Sequence, residues 1–300
     1  MERIVTSIDL GSNSFRVLHF DCEKKKQIAQ YETAVGLADG LKQTGNISKE
    51  ALKRVLDAIA VSIEKIGYNP TKAVAVTTQA MRSAKNSKDV IETILEKTGI
   101  RFHIIDPQKE AELTLLAIQY ALKREKIEDD NFLLLDIGGG STELIIYKDK
   151  KEKIVSFPYG IVTLAQSSQK QEDFKNLEKL LKEFVEYEEL NEAIFISTAG
   201  TPTTLAALKC GLNYKTYDKE IINGTTLTIK EIEQYQDQLN SLTKEQLIER
   251  VGGGRDDFID TGINIFKLFY KILNKESSIV FDDGLREGVA IAQCTTPLIK

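Results

Sequence analysis

The chain has 300 residues, 40 Lys plus Arg against 45 Asp plus Glu, and a formal net charge of -5. With 42% hydrophobic and 28% charged residues it has ordinary globular composition, which excludes a disordered or collagen-like chain. The length calls for two domains or one large α/β domain. The mild acidity argues against a nucleic-acid binder, and it means that a strongly anionic ligand needs a metal ion or a local basic cluster.

Three cysteines, Cys22, Cys210 and Cys294, are far apart and odd in number. With no CxxC pair and no disulfide framework, a reducing cytoplasm is the expected compartment. The N-terminus lacks the basic region and apolar run of a signal peptide. No apolar run approaches the ~18 residues of a membrane helix, so no membrane partner is expected. With two histidines, His19 and His103, a zinc or di-metal centre built on histidine is nearly excluded.

Taken in chain order, the first strong feature is an internal repeat. Residues 8–20 and 135–147 both read as an apolar strand, then Asp-x-Gly-x-x-Ser, then a second apolar strand. Asp9, Gly11 and Ser14 fall in register with Asp136, Gly138 and Ser141, which suggests two related domains rather than a short-period solenoid. Each copy is a predicted β-hairpin with a Gly/Ser/Asn-rich turn. Glycine there permits φ > 0 and close approach of the backbone to a ligand, and the exposed N–H groups form a concave anion site. One such hairpin would pass as an ordinary tight turn; two in register, each with an Asp at the strand end, point to function.

The intervening chain alternates helix and strand. The apolar stripe Ala51, Leu52, Val55, Leu56, Ile59, Ile63 and Ile66 predicts a helix over 48–66, with Ser48 as N-cap and Gly67 as terminator. A buried strand is expected at 72–77, helices at 88–97 and 109–123, and a short strand at 101–105. In the second half, helices are expected at 172–189, 228–250 and 258–273, and strands at 193–198 and from Ile279, before a last helix. The boundary falls near residues 118–131. The charge clusters 23–26 and 148–153 read as solvated hairpin tips.

Four Gly/Ser/Thr-rich turns, at 9–14, 136–143, 198–204 and 252–257, are candidate phosphate-facing elements. None is a Walker A loop, none is a dinucleotide fingerprint, and there is no nucleophile elbow. What remains is phosphoryl chemistry with carboxylates, hydroxyls and backbone amides.

The stretches Asp9–Phe15 (DLGSNSF), Thr78–Arg82 (TQAMR), Glu110-Ala111, Asp136–Glu143 (DIGGGSTE), Thr198–Thr204 (TAGTPTT), Gly254–Asp257 (GRDD) and Asp283–Gly288 (DGLREG) carry a family resemblance. The chain resembles the exopolyphosphatase/guanosine pentaphosphate phosphohydrolase (Ppx/GppA) family of the actin-like ATPase superfamily. The resemblance implies an α/β fold of two ribonuclease-H-like domains with an interdomain cleft. Expected bounds are 1–120 and 121–300, with the helix at 286–300 packing back on the first domain. It implies hydrolysis of a terminal phosphoanhydride in polyphosphate or in pppGpp, assisted by Mg2+, with polyphosphate or guanosine penta- or tetraphosphate as the partner bound.

Residue by residue, Glu110 matches the family's catalytic base, and Asp136 and Glu143 its acidic pair near metal and water. Asp9, Ser12, Asn13 and Ser14, with Gly138, Gly139, Gly140 and Ser141, match the phosphate turns. Arg82, Gly200, Thr201 and Arg255 match further substrate-facing positions. On their own, Glu110 reads as a first-turn helix Glu, Arg82 and Arg286 as surface or salt-bridged residues, and Arg255 as a partner of Asp256 or Asp257.

Two departures stand out. Asp106-Pro107 replaces the family's small residues ahead of Glu110, which puts the shape of that loop in question. The sequence also resembles a short form without the C-terminal HD-like domain. The altered loop motivates an alternative of a different class, a (p)ppGpp-binding regulator with weak catalysis. Relatives dimerise, so the resemblance implies a homodimer.

Overall fold

The computed structural model describes residues 3–295. The chain divides into two compact units, one comprising the residues up to Ala117 and those from Asp283 onward, the other Ile118–Asp282.

In the first unit, β1 (Ile4–Leu10), β2 (Ser14–Asp21) and β3 (Lys26–Ala34) form an antiparallel meander. After α1 (Leu41–Thr44) and α2 (Lys49–Ile66), β4 (Val74–Thr77) pairs parallel to β1. Helices α3 (Gln79–Ser83) and α4 (Ser87–Thr98) lead to β5 (Phe102–Ile104), parallel to β4. The sheet order is β3-β2-β1-β4-β5. Helix α5 (Pro107–Arg124) follows, and the boundary between the units falls within it.

The second unit repeats the plan. Strands β6 (Phe132–Ile137), β7 (Thr142–Lys148) and β8 (Lys151–Phe157) form the meander, followed by α6 (Ile161–Ala165) and α7 (Lys170–Val185). Then come β9 (Ile194–Thr198), α8 (Gly200–Lys209), α9 (Lys219–Ile222) and β10 (Thr225–Thr228). Helices α10 (Ile229–Asn240), α11 (Lys244–Val251) and α12 (Ile259–Leu273) precede β11 (Ser277–Val280). The order β10-β11-β9-β6-β7-β8 is that of the first sheet with β10 added at one edge, since β9 and β11 run parallel to β6. Both units therefore have the ribonuclease-H-like, actin-like topology.

The sequence explains the layering. Central β6, Phe-Leu-Leu-Leu-Asp-Ile, is apolar on both faces and buried as far as Leu135, as a strand covered on two sides must be. The edge strand β8, paired with β7, opens with exposed Lys151, Glu152 and Lys153, charges that discourage pairing with another chain. The apolar helix α12 is core: Ile263, Phe266, Phe269 and Tyr270 are buried with Leu133 and Leu135 of β6. Ser48 caps α2 by accepting the Ala51 N–H at 3.1 Å, and Gly67 ends it at φ 76°.

Three expectations are corrected. Strand β3, absent from the sequence reading, completes the first meander beyond the charged tip at 22–25. The helix expected over 228–250 is two helices, because Thr243 starts a second one: its hydroxyl accepts the Gln246 N–H while Gln246 returns to the Thr243 N–H. Finally, Cys22 and Cys294 form a disulfide, leaving Cys210 free. The partners are 272 residues apart, and they meet because α13 (Leu285–Thr295) returns to pack on β1 and β2. Cysteine usage therefore does not point to a reducing compartment. Among the described residues no helix is long and apolar enough to cross a membrane.

The disulfide gives a direct expectation. Thiol titration of the unfolded, unreduced protein should find the one free cysteine, and all three after reduction. Cys22→Ser should lower stability by about 2–5 kcal/mol under non-reducing conditions, measured by denaturant unfolding. Three titratable thiols without reductant would contradict the pairing.

Candidate functional site

Most of the candidate residues lie at the carboxyl ends of the parallel strands in each unit, where α/β sheets place their ligands. Each unit supplies its own group of residues.

In the first unit the turn after β1 carries Asp9, Ser12, Asn13 and Ser14. Asp9, Ser12 and Asn13 are buried. The Gly11 N–H donates to the Ser14 carbonyl at 2.9 Å and closes the turn. The Ala38 N–H donates to the Ser12 carbonyl at 2.8 Å, and the Val35 and Gly36 N–H groups to the Asn13 carbonyl at 2.7 and 3.0 Å. A trans peptide is planar, so a carbonyl turned one way sends the next N–H the other. The Asn13 and Ser14 N–H groups thus point to the side opposite residues 35–38.

Beside this turn, the Thr77 hydroxyl at the end of β4 donates to the Leu10 carbonyl at 2.7 Å and ties β4 to β1. Helix α3 follows and presents Arg82. Helix α5 follows β5 and presents Glu110. The two side chains meet: Arg82 Nη1 donates to Glu110 Oε2 at 2.9 Å and to the Ile105 carbonyl at 2.7 Å, while Nε and Nη2 donate to Gln79 Oε1. Both are largely buried, with side-chain exposures of 15% and 13%. The Asp106-Pro107 departure fits α5 without distortion. Pro107 is its first residue, where no N–H is needed, and the Asp106 carboxylate caps it by accepting the Lys109 N–H at 2.7 Å.

The second unit repeats the turn. The Gly138 N–H donates to the Ser141 carbonyl at 3.0 Å. Neither Gly11 nor Gly138, Gly139 and Gly140 adopts positive φ; at Gly138 a Cβ would lie 2.9 Å from the Ser141 carbonyl oxygen, so close packing is what glycine supplies there. Asp136 on β6 and Glu143 on β7 are cross-strand partners, so both carboxylates project from one face of the hairpin. Glu143 is buried, and its Oε1 accepts the Ser156 hydroxyl at 2.6 Å.

At the end of β9 the chain enters α8 through Ala199, a non-glycine residue at φ 73° and ψ -173°. That region is nearly exclusive to glycine and costs about 1–3 kcal/mol. Gly200 and buried Thr201 open α8 immediately after it, with the positive end of the helix dipole behind them. Helix α12 lies against this end, since a methyl group on Gly262 would overlap the Thr201 hydroxyl.

The turn at 252–257 precedes α12. Arg255 does not take Asp256 or Asp257 as its place in the sequence suggests. Both carboxylates bind Lys244, Asp256 at 2.6 Å, and Arg255 lies 6.0 Å over the Tyr214 ring. Hydrogen bonds with Asp256 and then Asp257 hold the Lys244 ammonium above the usual lysine range. Burial alone would raise Asp256, but Lys244 and the Gly254 N–H outweigh it and hold its carboxyl below the ordinary range.

Among the described residues no group of three or more His, Cys, Asp or Glu side chains forms a metal cage. Magnesium usually binds one or two carboxylates and completes its shell with water and substrate phosphate. The hard oxygens of Asp136 and Glu143, paired across two strands, suit that mode.

Two features escape the sequence reading. One is the network beside the first turn: Arg16, cross-strand from Asp9, pairs with Glu32 at 3.3 Å; Arg286 pairs with Glu32 at 3.2 Å and Glu287 at 2.8 Å. Arg16 stands two residues past Ser14, within reach of motif reading. The other is α6, whose first turn holds the Gly138–Ser141 backbone.

Comparison with known proteins agrees with this geometry. The model of the Ppx/GppA phosphatase family matches residues 20–296. A bifunctional 3-dehydroquinate synthase/phosphatase of Fusobacterium nucleatum is 27% identical, covering 95% of this chain and 46% of that protein. A guanosine-5'-triphosphate,3'-diphosphate pyrophosphatase of Vibrio parahaemolyticus is 26% identical over 95% of this chain and 58% of that protein. The chain thus spans about half the length of these curated relatives. The crystal structure of the Aquifex aeolicus Ppx/GppA family member covers 100% of both chains, with a TM-score of 0.74 at 27% identity. An exopolyphosphatase structure from Cytophaga hutchinsonii shares the fold, with a TM-score of 0.82 at 24% identity and 98% coverage of both chains. With its family model matched over nearly the whole chain, and with the duplicated turn at the ends of β1 and β6, the protein belongs to the Ppx/GppA phosphatase family.

Proposed function

We propose that this protein is a magnesium-dependent phosphohydrolase that cleaves the terminal phosphoanhydride of inorganic polyphosphate or of pppGpp and releases orthophosphate. The observation that carries the reading is the recurrence, in both units, of a turn closed by a Gly N–H to Ser carbonyl bond, at 2.9 and 3.0 Å, with its other carbonyls tied back into the protein. Backbone amides so arranged hold phosphate oxygens. The names of the Vibrio and Cytophaga relatives, a pentaphosphate-type pyrophosphatase and an exopolyphosphatase, support the two candidate substrates.

Phosphoryl transfer needs positioning and charge neutralisation more than covalent help. Backbone amides of such a turn hold the non-transferring oxygens. Glu110 accepts the proton of the attacking water. Arg82 fixes the Glu110 carboxylate through Nη1, and its planar fork suits a phosphate oxygen as well as a carboxylate. Asp136 and Glu143 would hold Mg2+, which offsets the charge of the substrate. This local positive potential is what lets a chain of net charge -5 accept a polyanion. Because Asp106 and Pro107 start α5 in the ordinary way, the altered loop gives no support to a catalytically weak regulator.

Glu110→Gln should lower kcat by at least about a hundredfold in an orthophosphate-release assay, with the fold unchanged by circular dichroism. Full turnover by that variant would remove Glu110 as the base. EDTA should sharply weaken the binding of tripolyphosphate measured by calorimetry; undiminished affinity would contradict the role given to Mg2+. A panel of polyphosphate, pppGpp, ppGpp and ATP should show orthophosphate release from one or both of the first two at the highest kcat/KM.

A further inference from the structure

Helix α6 is a five-residue element outside every stretch that carries the family resemblance, yet it controls the backbone of the second turn. The Ile161 N–H donates to the Gly138 carbonyl at 3.0 Å, and the Val162 and Thr163 N–H groups to the Gly139 carbonyl at 2.9 and 3.3 Å. The Thr163 hydroxyl lies 3.3 Å from the Gly140 carbonyl and 3.1 Å from the Gly160 carbonyl, and it accepts the Gly160 N–H at 2.8 Å. Three successive carbonyls thus face α6.

Peptide planarity then sends the N–H groups of Gly139, Gly140 and Ser141 to the opposite side. Among the described residues the Gly139 and Gly140 N–H groups donate to no protein acceptor. Three adjacent amides on one side of a turn make an anion-binding concavity. The approach that permits this is extreme: a Cβ on Gly160 would lie 2.5 Å from the Gly139 carbonyl carbon and 2.6 Å from that of Gly140.

We propose that Gly160 and Thr163 are positioning residues for phosphate binding: they turn the Gly138, Gly139 and Gly140 carbonyls inward and so aim three amides at a phosphate. The inference rests on reading that turn as a phosphate site. Gly160 acts by having no side chain. Thr163 acts through its hydroxyl, which links the entry of α6 to the last carbonyl of the turn.

The test uses the full chain in the Glu110→Gln background, so that the probe, inorganic tripolyphosphate with Mg2+, is not consumed. Glycine–glycine peptides occur only at 138–140 and 252–254. Glycine labelled with both 13C and 15N therefore leaves four amides in carbonyl-correlated NMR spectra, those of Gly139, Gly140, Gly253 and Gly254, and a Gly253→Ala chain, which loses the second pair, assigns the first two. Titration should shift both signals. Thr163→Val should weaken the dissociation constant about fivefold, the scale of one lost hydrogen bond, and Thr163→Ser should restore it. Gly160→Ala should weaken it at least about tenfold through forced displacement of the turn; where that variant does not fold, the Thr163 pair decides. With Glu110 intact, Thr163→Val should raise KM for the polyphosphate substrate by a similar factor. If the amides shift in the unsubstituted chain but Thr163→Val titrates identically, the positioning role is overturned while the phosphate site stands. If tripolyphosphate moves neither amide in the unsubstituted chain, the phosphate-turn reading falls and this inference with it.

Discussion

The structure depends on the orientation of a few peptide planes. A turn that follows a buried strand has carbonyls and amides to place, and a buried polar group without a partner is costly. In both units the carbonyls are satisfied from within the protein, by residues 35–38 in the first and by the first turn of α6 in the second. Because the peptide is planar, satisfying the carbonyls fixes the amides on the other side. An anion site therefore arises from backbone geometry, with little need for formal positive charge. In the proposed function this backbone site works together with Arg82 and Mg2+ to let a chain with five more acidic than basic residues accept a polyanion.

The surrounding elements serve that arrangement. The parallel strands β1, β4 and β5 deliver the first turn, Arg82 and Glu110 from one end of one sheet. In the second unit β6 and β9 deliver the second turn and the opening of α8, where Ala199 is held in a conformation that glycine would adopt more easily. Strain at that position accords with the substrate-facing role proposed for the turn. The Arg286–Glu32 ion pair, the Ser7 hydroxyl donating to the Arg286 carbonyl and the bond between Cys22 and Cys294 fasten α13 to the first sheet, beside the strand that carries Asp9.

Much of this was legible in the sequence. The register of Asp9, Gly11 and Ser14 with Asp136, Gly138 and Ser141 located both hairpins, and the helical stripes located α2, α4, α5, α7 and α12 within a few residues. What was hidden has physical reasons. Helix α6 is too short for a helical period to show. The partners of the disulfide are joined by tertiary packing, which leaves no spacing signature. The break between α10 and α11 was readable, since Thr243 and Gln246 stand at capping-box spacing, but the apolar periodicity carries on across it. Of the two uses of glycine that the turns suggested, positive φ does not occur at Gly11, Gly138, Gly139 or Gly140, and at Gly138 the Ser141 carbonyl comes too close for a side chain, a fact of packing that only the fold reveals.

The central claim of the proposed function is that water, giving up its proton to Glu110, attacks the terminal phosphorus. Reaction in H2(18)O followed by mass spectrometry of the products tests it most directly. The account predicts one 18O atom in each orthophosphate released from polyphosphate or pppGpp and none in the shortened product. Label appearing in the shortened chain with unlabelled orthophosphate would place the attack on the penultimate phosphorus and contradict it.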